Sequence, residues 1–152
     1  VNISPRSSEH LHQTGKREVV YLDLTGSGSE TAAHLRADGR MTIMFCAFDG
    51  APLILRLYGT GHVAFRGAPE YRAFLASHYG GREPLGARQI VTLSIELVQT
   101  SCGFVVPLFE HMGERSVLDR WAEAKGEEGL RAYRQEKNLA SLDGLPTGFT
   151  ES

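Results

Sequence analysis

The chemistry-bearing residues of this sequence gather first at Thr25-Gly26-Ser27-Gly28-Ser29, which follows the β-branched and aromatic run 19–24. Glycines let successive backbone amides turn toward one point. A strand that delivers such a loop onto a helix N-terminus presents unpaired N–H groups to an anion, most often a phosphate. Ser27 stands three residues before Glu30, the spacing of a capping box that opens a helix. The lysine of a P-loop and the third small residue of a dinucleotide fingerprint are both missing. On these residues alone the loop reads either as an anion cradle or as a plain strand-to-helix connection. A second candidate is Arg56, the one charge in the run Leu53-Ile54-Leu55-Arg56-Leu57-Tyr58. Burying a guanidinium without a partner is expensive, and its same-face neighbours Ile54 and Tyr58 favour a paired or ligand-facing role over a solvent-facing one. Cys46 reads as a small core residue, and Cys102, in a turn before Gly103, as structural filler, since nothing adjacent would lower its pKa. Two cysteines and six scattered histidines, of which only His10 and His12 are close, give no metal-ligand spacing.

The elements that must position these groups follow from the pattern of the chain. Residues 19–24 form a strand, and the helix after the loop carries Ala32, Ala33 and Leu35 on its inner side before ending at Asp38-Gly39. A hairpin of 40–48 and 53–65 turns around Asp49-Gly50, so the sheet is antiparallel rather than a βαβ crossover. The first arm is apolar on both faces and predicts a central strand. Gly59 and Gly61 bracket Thr60 as a kink or bulge. Pro69 and Glu70 open a second helix packing Tyr71, Phe74, Leu75 and His78, and 79–88 is a Gly/Pro loop. Residues 89–99 alternate, with Val91, Leu93, Ile95 and Leu97 inward. Residues 104–109 give a short strand that Pro107 demotes to an edge. Helices follow over 116–125 and 127–137, divided by Gly126, with Trp121 as a core or interface anchor. The stretch 137–146 is too apolar for a free tail and should dock. Residues 1–6 alternate as a strand end does, and 7–17 reads as a loop.

A length of 152 residues fits a single domain, 1–152, with a helical C-terminal region 114–138 and a docked tail 139–152. A hydrophobic share of 41% and a charged share of 22% are ordinary for a globular chain. Net charge −2, pI near 6.3 and the lack of any Lys/Arg cluster argue against nucleic acid as a partner. No run approaches a membrane span and no signal-peptide pattern opens the sequence, so a cytoplasmic protein is the default expectation.

The segments VNISPR, YLDLTGSGSETAAHL, GRMTIMFCAFDGAPLILRLYGTG, VQTSCG and EKNLASLDGLP are ordered along nearly the whole chain. Together they resemble the pyridoxamine 5′-phosphate oxidase-like family of FMN-binding split barrels, and within it a branch that shares this loop and tail. The resemblance implies a mainly β protein: a six-stranded antiparallel split β-barrel with peripheral helices, forming a homodimer with FMN held between subunits. It also implies an N-terminal helix and first strand upstream of Val1, absent from this numbering. It places Asn2, Ser4 and Arg6 on a strand lining the flavin. The flavin phosphate would then be held by Arg6, by the hydroxyls of Ser29 and Thr31, and by the helix amides that start there; Gln99 and Ser101 would be ring contacts. Where the resembled oxidases carry a Ser-Arg-Lys phosphate clamp, this chain has Ser29-Glu30-Thr31, a departure for which Arg40, Arg56 or a residue upstream of Val1 could compensate. The resemblance thus implies a flavin-dependent oxidoreductase of open substrate, with no acid or base catalyst named, since the cofactor would supply the chemistry. Two alternatives stand beside it: a deazaflavin-dependent reductase, against which the modest basic content argues, and a non-catalytic dimeric binding protein for a haem or another planar ligand.

Overall fold

The computed structural model describes residues 2–150. Its frame is one antiparallel sheet of five strands: β1 (Leu11–Gly15), β2 (Glu18–Leu24), β3 (Arg40–Cys46), β4 (Ile54–Phe65) and β5 (Ala87–Ser101). They lie in the order β1-β2-β5-β4-β3. Helix α1 (Glu30–Ala37) joins β2 to β3, α2 (Pro69–His78) joins β4 to β5, and α3 (Val117–Lys137) follows the sheet. Among the described residues the sheet is open, and neither a sixth strand nor barrel closure is present. Two expected strands are missing for local reasons. Residues 2–6 make no ladder, and 104–109 is irregular, tied to the sheet end by one bond from Phe109 N–H to the Phe48 carbonyl (2.8 Å). Conversely, the expected loop 7–17 contains β1, paired with β2 from Leu11↔Tyr21 onward. As a short edge strand with only Leu11 and His12 half-buried, it carries no alternation to read.

Both faces of the sheet are packed near β2. One face carries Val20, Leu22, Ala64 and Ile90 against Tyr71, Phe74 and Leu75 of α2. The other carries Tyr21 and Val91 against Leu35 of α1, continuing through Val19, Leu57 and Leu93. Pro69 starts α2 at a first-turn position, and Gly126 interrupts α3 at φ 64°, ψ 175°, so that helix consists of two helical pieces. Trp121 is half-buried, its ring edge-on to Tyr133 at 5.0 Å.

One bulge decides which residues reach which face. Opposite β4, residue Gly59 pairs with Ile95 but Tyr58 pairs with Leu97, leaving Glu96 as the extra residue of β5. A Cβ at Gly59 would run into the carbonyl oxygen of Ser94, so the close approach requires glycine there. Past the bulge the alternation inverts. Leu97, expected inward, is 59% exposed, and Leu97, Gln99 and Ser101 share a face with Tyr58, Arg56 and Ile54. The expected central strand, β3, is an edge strand with exposed Met44 and Phe45. Among the described residues no helix is long and apolar enough to cross a membrane.

Candidate functional site

The sequence-derived candidates fall into two groups. The first surrounds the loop between β2 and α1. Asn2 Nδ2 donates to Ser4 Oγ (3.2 Å) and to Thr31 Oγ1 (3.1 Å), joining the N-terminal segment to the first turn of α1. Arg6 Nη1 lies 2.7 Å from Asp23 Oδ1, and the guanidinium sits 4.9 Å from the centre of the Tyr21 ring. Burial raises the Tyr21 phenol above its ordinary pKa, opposed by Arg6 and assisted by Asp23, with Thr31 and Arg6 hydrogen-bonded to it. Ser29 is buried at the N-cap of α1, but its side chain makes no capping bond. The capping box expected from Ser27 and Glu30 does not form. Glu30 instead accepts from the Leu142 backbone N–H at 3.0 Å, because the C-terminal segment packs there and offers an unpaired donor.

Beneath the loop lies a buried polar network that pattern reading did not find. Thr25 donates through its N–H (2.7 Å) and its hydroxyl (2.8 Å) to the Gly86 carbonyl. The Gly26 carbonyl accepts from Asn138 Nδ2 (3.1 Å) and the Gly28 carbonyl from Arg88 Nη2 (2.8 Å). Arg88 also donates through Nε to Asp23 Oδ2 (2.9 Å) and through Nη1 to Asn138 Oδ1 (2.6 Å), while Gln89 Nε2 donates to the same Asp23 oxygen (2.6 Å). Arg134 donates to Thr25 Oγ1 (3.3 Å), and Thr147 Oγ1 donates to the Asn138 carbonyl (2.8 Å). Asp23 and Arg88 are 1% and 3% exposed, so their charges are paired inside the protein as burial requires. Asp23 had a legible signal, a lone charge within an apolar run, the same signal that singles out Arg56; Arg88, between Ala87 and Gln89 at the end of a Gly/Pro stretch, had none. Asn138 and Thr147 had none either.

The second group is on the outer face of β4 and β5. Arg56 Nη1 donates to Ser101 Oγ at 2.9 Å, and Tyr58 Oη donates to Gln99 Oε1 at 3.0 Å. Met44 and Leu97, both exposed, flank them through the pairs Met44↔Arg56 and Tyr58↔Leu97. Cys46, expected in the core, is half-buried on this face; Cys102, just past the end of β5, is exposed, and neither forms a disulfide.

These two groups sit at opposite ends of β5. Asp23, which holds Arg6, pairs with Gln89, whereas Arg56 pairs with Gln99. Ten residues at about 3.3 Å each put about 33 Å of strand between them. Arg40, the other possible substitute for the missing clamp, is at neither end and is committed to Asp38 (2.6 Å). A groove of about 200 Å³ beside Arg6, reaching residues 114–119, is below the usual size of a cofactor pocket, and it is lined by Glu9, Glu114 and Asp119 as well as Arg115.

As a test of fit to a flavin phosphate, the first group supplies a guanidinium, an amide and hydroxyls, the right donor types for an anion. Its formal charge is balanced: Arg6 and Arg88 stand against Asp23 and Glu30. Among the described residues, the buried acceptors left without a hydrogen bond, Asp23 Oδ1 and Gln89 Oε1, belong to the scaffold beneath and offer a phosphate nothing. For Asp23 Oδ1 the Arg6 guanidinium is within ion-pair range but off the hydrogen-bonding line. The residues present therefore fit the phosphate arm of FMN within one chain, and not a complete flavin site.

No family model matches the chain. The pyridoxamine 5′-phosphate oxidase family protein ustO of Aspergillus flavus is 38% identical over 161 aligned residues, which cover 96% of this chain and 64% of that protein. The chain thus spans somewhat less than two thirds of the length of this relative. Two crystal structures of HupZ from Group A Streptococcus, one of them a variant, share 17% identity with it at TM-scores of 0.48 and 0.49. They cover 61% and 60% of this chain and 70% and 73% of theirs, and likeness of that degree carries no argument. Similarity across almost its whole length to the fungal protein places the chain in the pyridoxamine 5′-phosphate oxidase-like family, as the resemblance in its sequence implied.

Proposed function

We propose that the protein binds FMN between two copies of itself and acts as a flavin-dependent oxidoreductase. The observation that carries this reading is the separation of the candidate residues into two half-sites at opposite ends of β5. One ligand cannot touch both within a chain, but a two-fold dimer brings the first half of one protomer to the second half of its partner twice over. The exposed apolar residues beside Arg56, namely Met44 and Leu97, belong to the surface such a pairing would cover. In the assembled site Arg6, Ser4, Asn2, Thr31 and the amides near Ser29 take the phosphate, and Arg56, Gln99 and Ser101 of the other protomer meet the ring. Bound flavin would supply hydride or electron transfer, while these side chains orient it and set its electrostatic surroundings. Glu30 keeps its negative charge beside this position, with one oxygen accepting from Leu142 N–H, so Arg6 has to outweigh it. A single observation favours the rival reading of a flavin-free dimeric scaffold: Arg6 is already held by Asp23 at 2.7 Å.

The test is flavin fluorescence quenching on titration of the full chain with FMN, using wild type, Arg6→Ala, Arg56→Ala and a subunit-exchanged mixture of the two variants. Each variant alone should bind poorly. Random exchange makes half the dimers mixed, each with one intact site in two, so the mixture should recover about a quarter of wild-type capacity. No FMN binding by a folded dimeric wild type overturns the flavin reading. Binding by wild type without recovery in the mixture overturns the shared site.

A further inference from the structure

We propose that Glu30, His34 and Asp143 form a binding site for a divalent first-row transition-metal ion such as zinc, manganese or cobalt. Glu30 and His34 are one helical turn apart on α1, so their side chains share a face. Asp143 comes from the C-terminal segment packed over that face, and the three ligand atoms lie within 4.8 Å of one another. His34 Nε2 and Asp143 Oδ1 are 3.4 Å apart, long for a hydrogen bond. That separation equals the edge of a tetrahedron of about 2.1 Å radius, the length of a zinc bond to imidazole nitrogen or carboxylate oxygen. Glu30, within 4.8 Å of both, completes the face by a change in its side-chain torsions.

Charge points the same way. Two carboxylates face one imidazole, so the cluster is doubly negative when His34 is neutral; a divalent ion neutralises it and leaves the imidazole as a ligand. Two oxygens and one nitrogen suit a borderline first-row ion rather than calcium or magnesium, which take oxygen alone. Three protein ligands leave a coordination position for water. Glu30 Oε2 is held by Leu142 N–H and Asp143 Oδ1 by the Ser141 hydroxyl, outer contacts that fix the orientation of ligands. Sequence spacing could not reveal the site, because Asp143 lies 109 residues from His34.

The test is calorimetric titration of the chelator-treated full chain with zinc, manganese and cobalt salts, with the visible absorption of bound cobalt as a second readout. The expected result is one ion per chain at micromolar or tighter affinity. His34→Ala and Asp143→Asn should each weaken binding at least tenfold with unchanged far-ultraviolet circular dichroism, and Glu30→Gln, which keeps the acceptor for Leu142 N–H, should do the same. His12→Gln, outside the cluster, should leave affinity unchanged. Absence of binding by wild type, or binding that survives in His34→Ala, overturns the proposal and leaves the cluster as an ion pair between helix and tail. Because Glu30 adjoins the proposed phosphate half-site, the metal titration is run without FMN, and loss of binding in His34→Ala and Asp143→Asn, neither of which belongs to a half-site, separates its result from that of the flavin titration.

Discussion

Replacing Asp23 by Asn keeps the shape of the side chain and removes its charge, which leaves Arg88, 3% exposed, without a counter-ion. Breaking a buried pair from one side costs about 3–5 kcal/mol, because the surviving charge stays desolvated. Arg6 loses less, since it is 31% exposed and can turn to water. Against a total stability of about 5–15 kcal/mol the loss is a large fraction. For a chain of this length it lowers Tm by about 6–20 °C, at about 2–4 °C per kcal/mol. Urea denaturation of Asp23→Asn, Arg88→Met and the double variant, at one fixed protein concentration, measures both the cost and the coupling. Asp23 and Arg88 share one network, so the double variant should be less destabilised than the sum of the singles by at least about 1 kcal/mol. A single-variant cost below about 1 kcal/mol, or strict additivity, would refute the view that the charges are mutually required.

The same network extends to the C-terminal segment. Asn138→Ala removes the donor to Gly26 and the acceptor of Arg88, and should cost about 1–3 kcal/mol while amide exchange rises over residues 25–29. Gly59→Ala should be far more damaging than Gly61→Ala: at Gly59 the added methyl meets the Ser94 backbone, whereas at Gly61 it meets the mobile end of Leu35, 2.5 Å away, which can shift. Denaturation midpoints rank the two, and equal midpoints would contradict the bulge geometry. Burial, with His78 and His10 nearby, lowers the pKa of His12 below 6.5. The rings of His12 and His78 are 4.5 Å apart, and Tyr79 Oη lies 3.0 Å from His10 and 3.5 Å from His12. The unfolded chain therefore takes up a proton below pH 6.5 before the folded one does, and stability falls as pH drops from 6.5 toward the folded-state value. His12→Gln should flatten the dependence of the urea midpoint on pH in that window, and an unchanged slope would remove His12 from the account.

What the sequence disclosed was local. The hairpin around Asp49-Gly50, proline at the start of α2, the break at Gly126 and the apolar alternation of 91–95 are written in residues close together, and they stand in the structure. What it withheld depends on distant pairing. A single extra residue, Glu96, turned Leu97 outward and set Gln99 and Ser101 on the face of Arg56, and no periodicity within β5 announces a bulge made against β4. The loop was legible as glycine, serine and threonine; its clamp was not, because Arg88, Arg134 and Asn138 reach it from 60 to 112 residues away. The three histidines at positions 10, 12 and 78 likewise meet only through the packing of β1 on α2, so two of them read as neighbours in a loop and the third as unrelated.

The clasp on the loop also orders events in time. Asn138 stands 112 residues beyond Gly26, and a chain leaves the ribosome from its N-terminus. β2 and the loop are therefore in existence through most of synthesis, with the Gly26 carbonyl and the Arg88 guanidinium awaiting their partner. Long-range closure comes late because its entropy cost falls before its contacts reward it. The glycine-serine stretch thus gains its clasp only in molecules whose residues 138–147 have been made, and an interrupted chain is kept from displaying the finished loop.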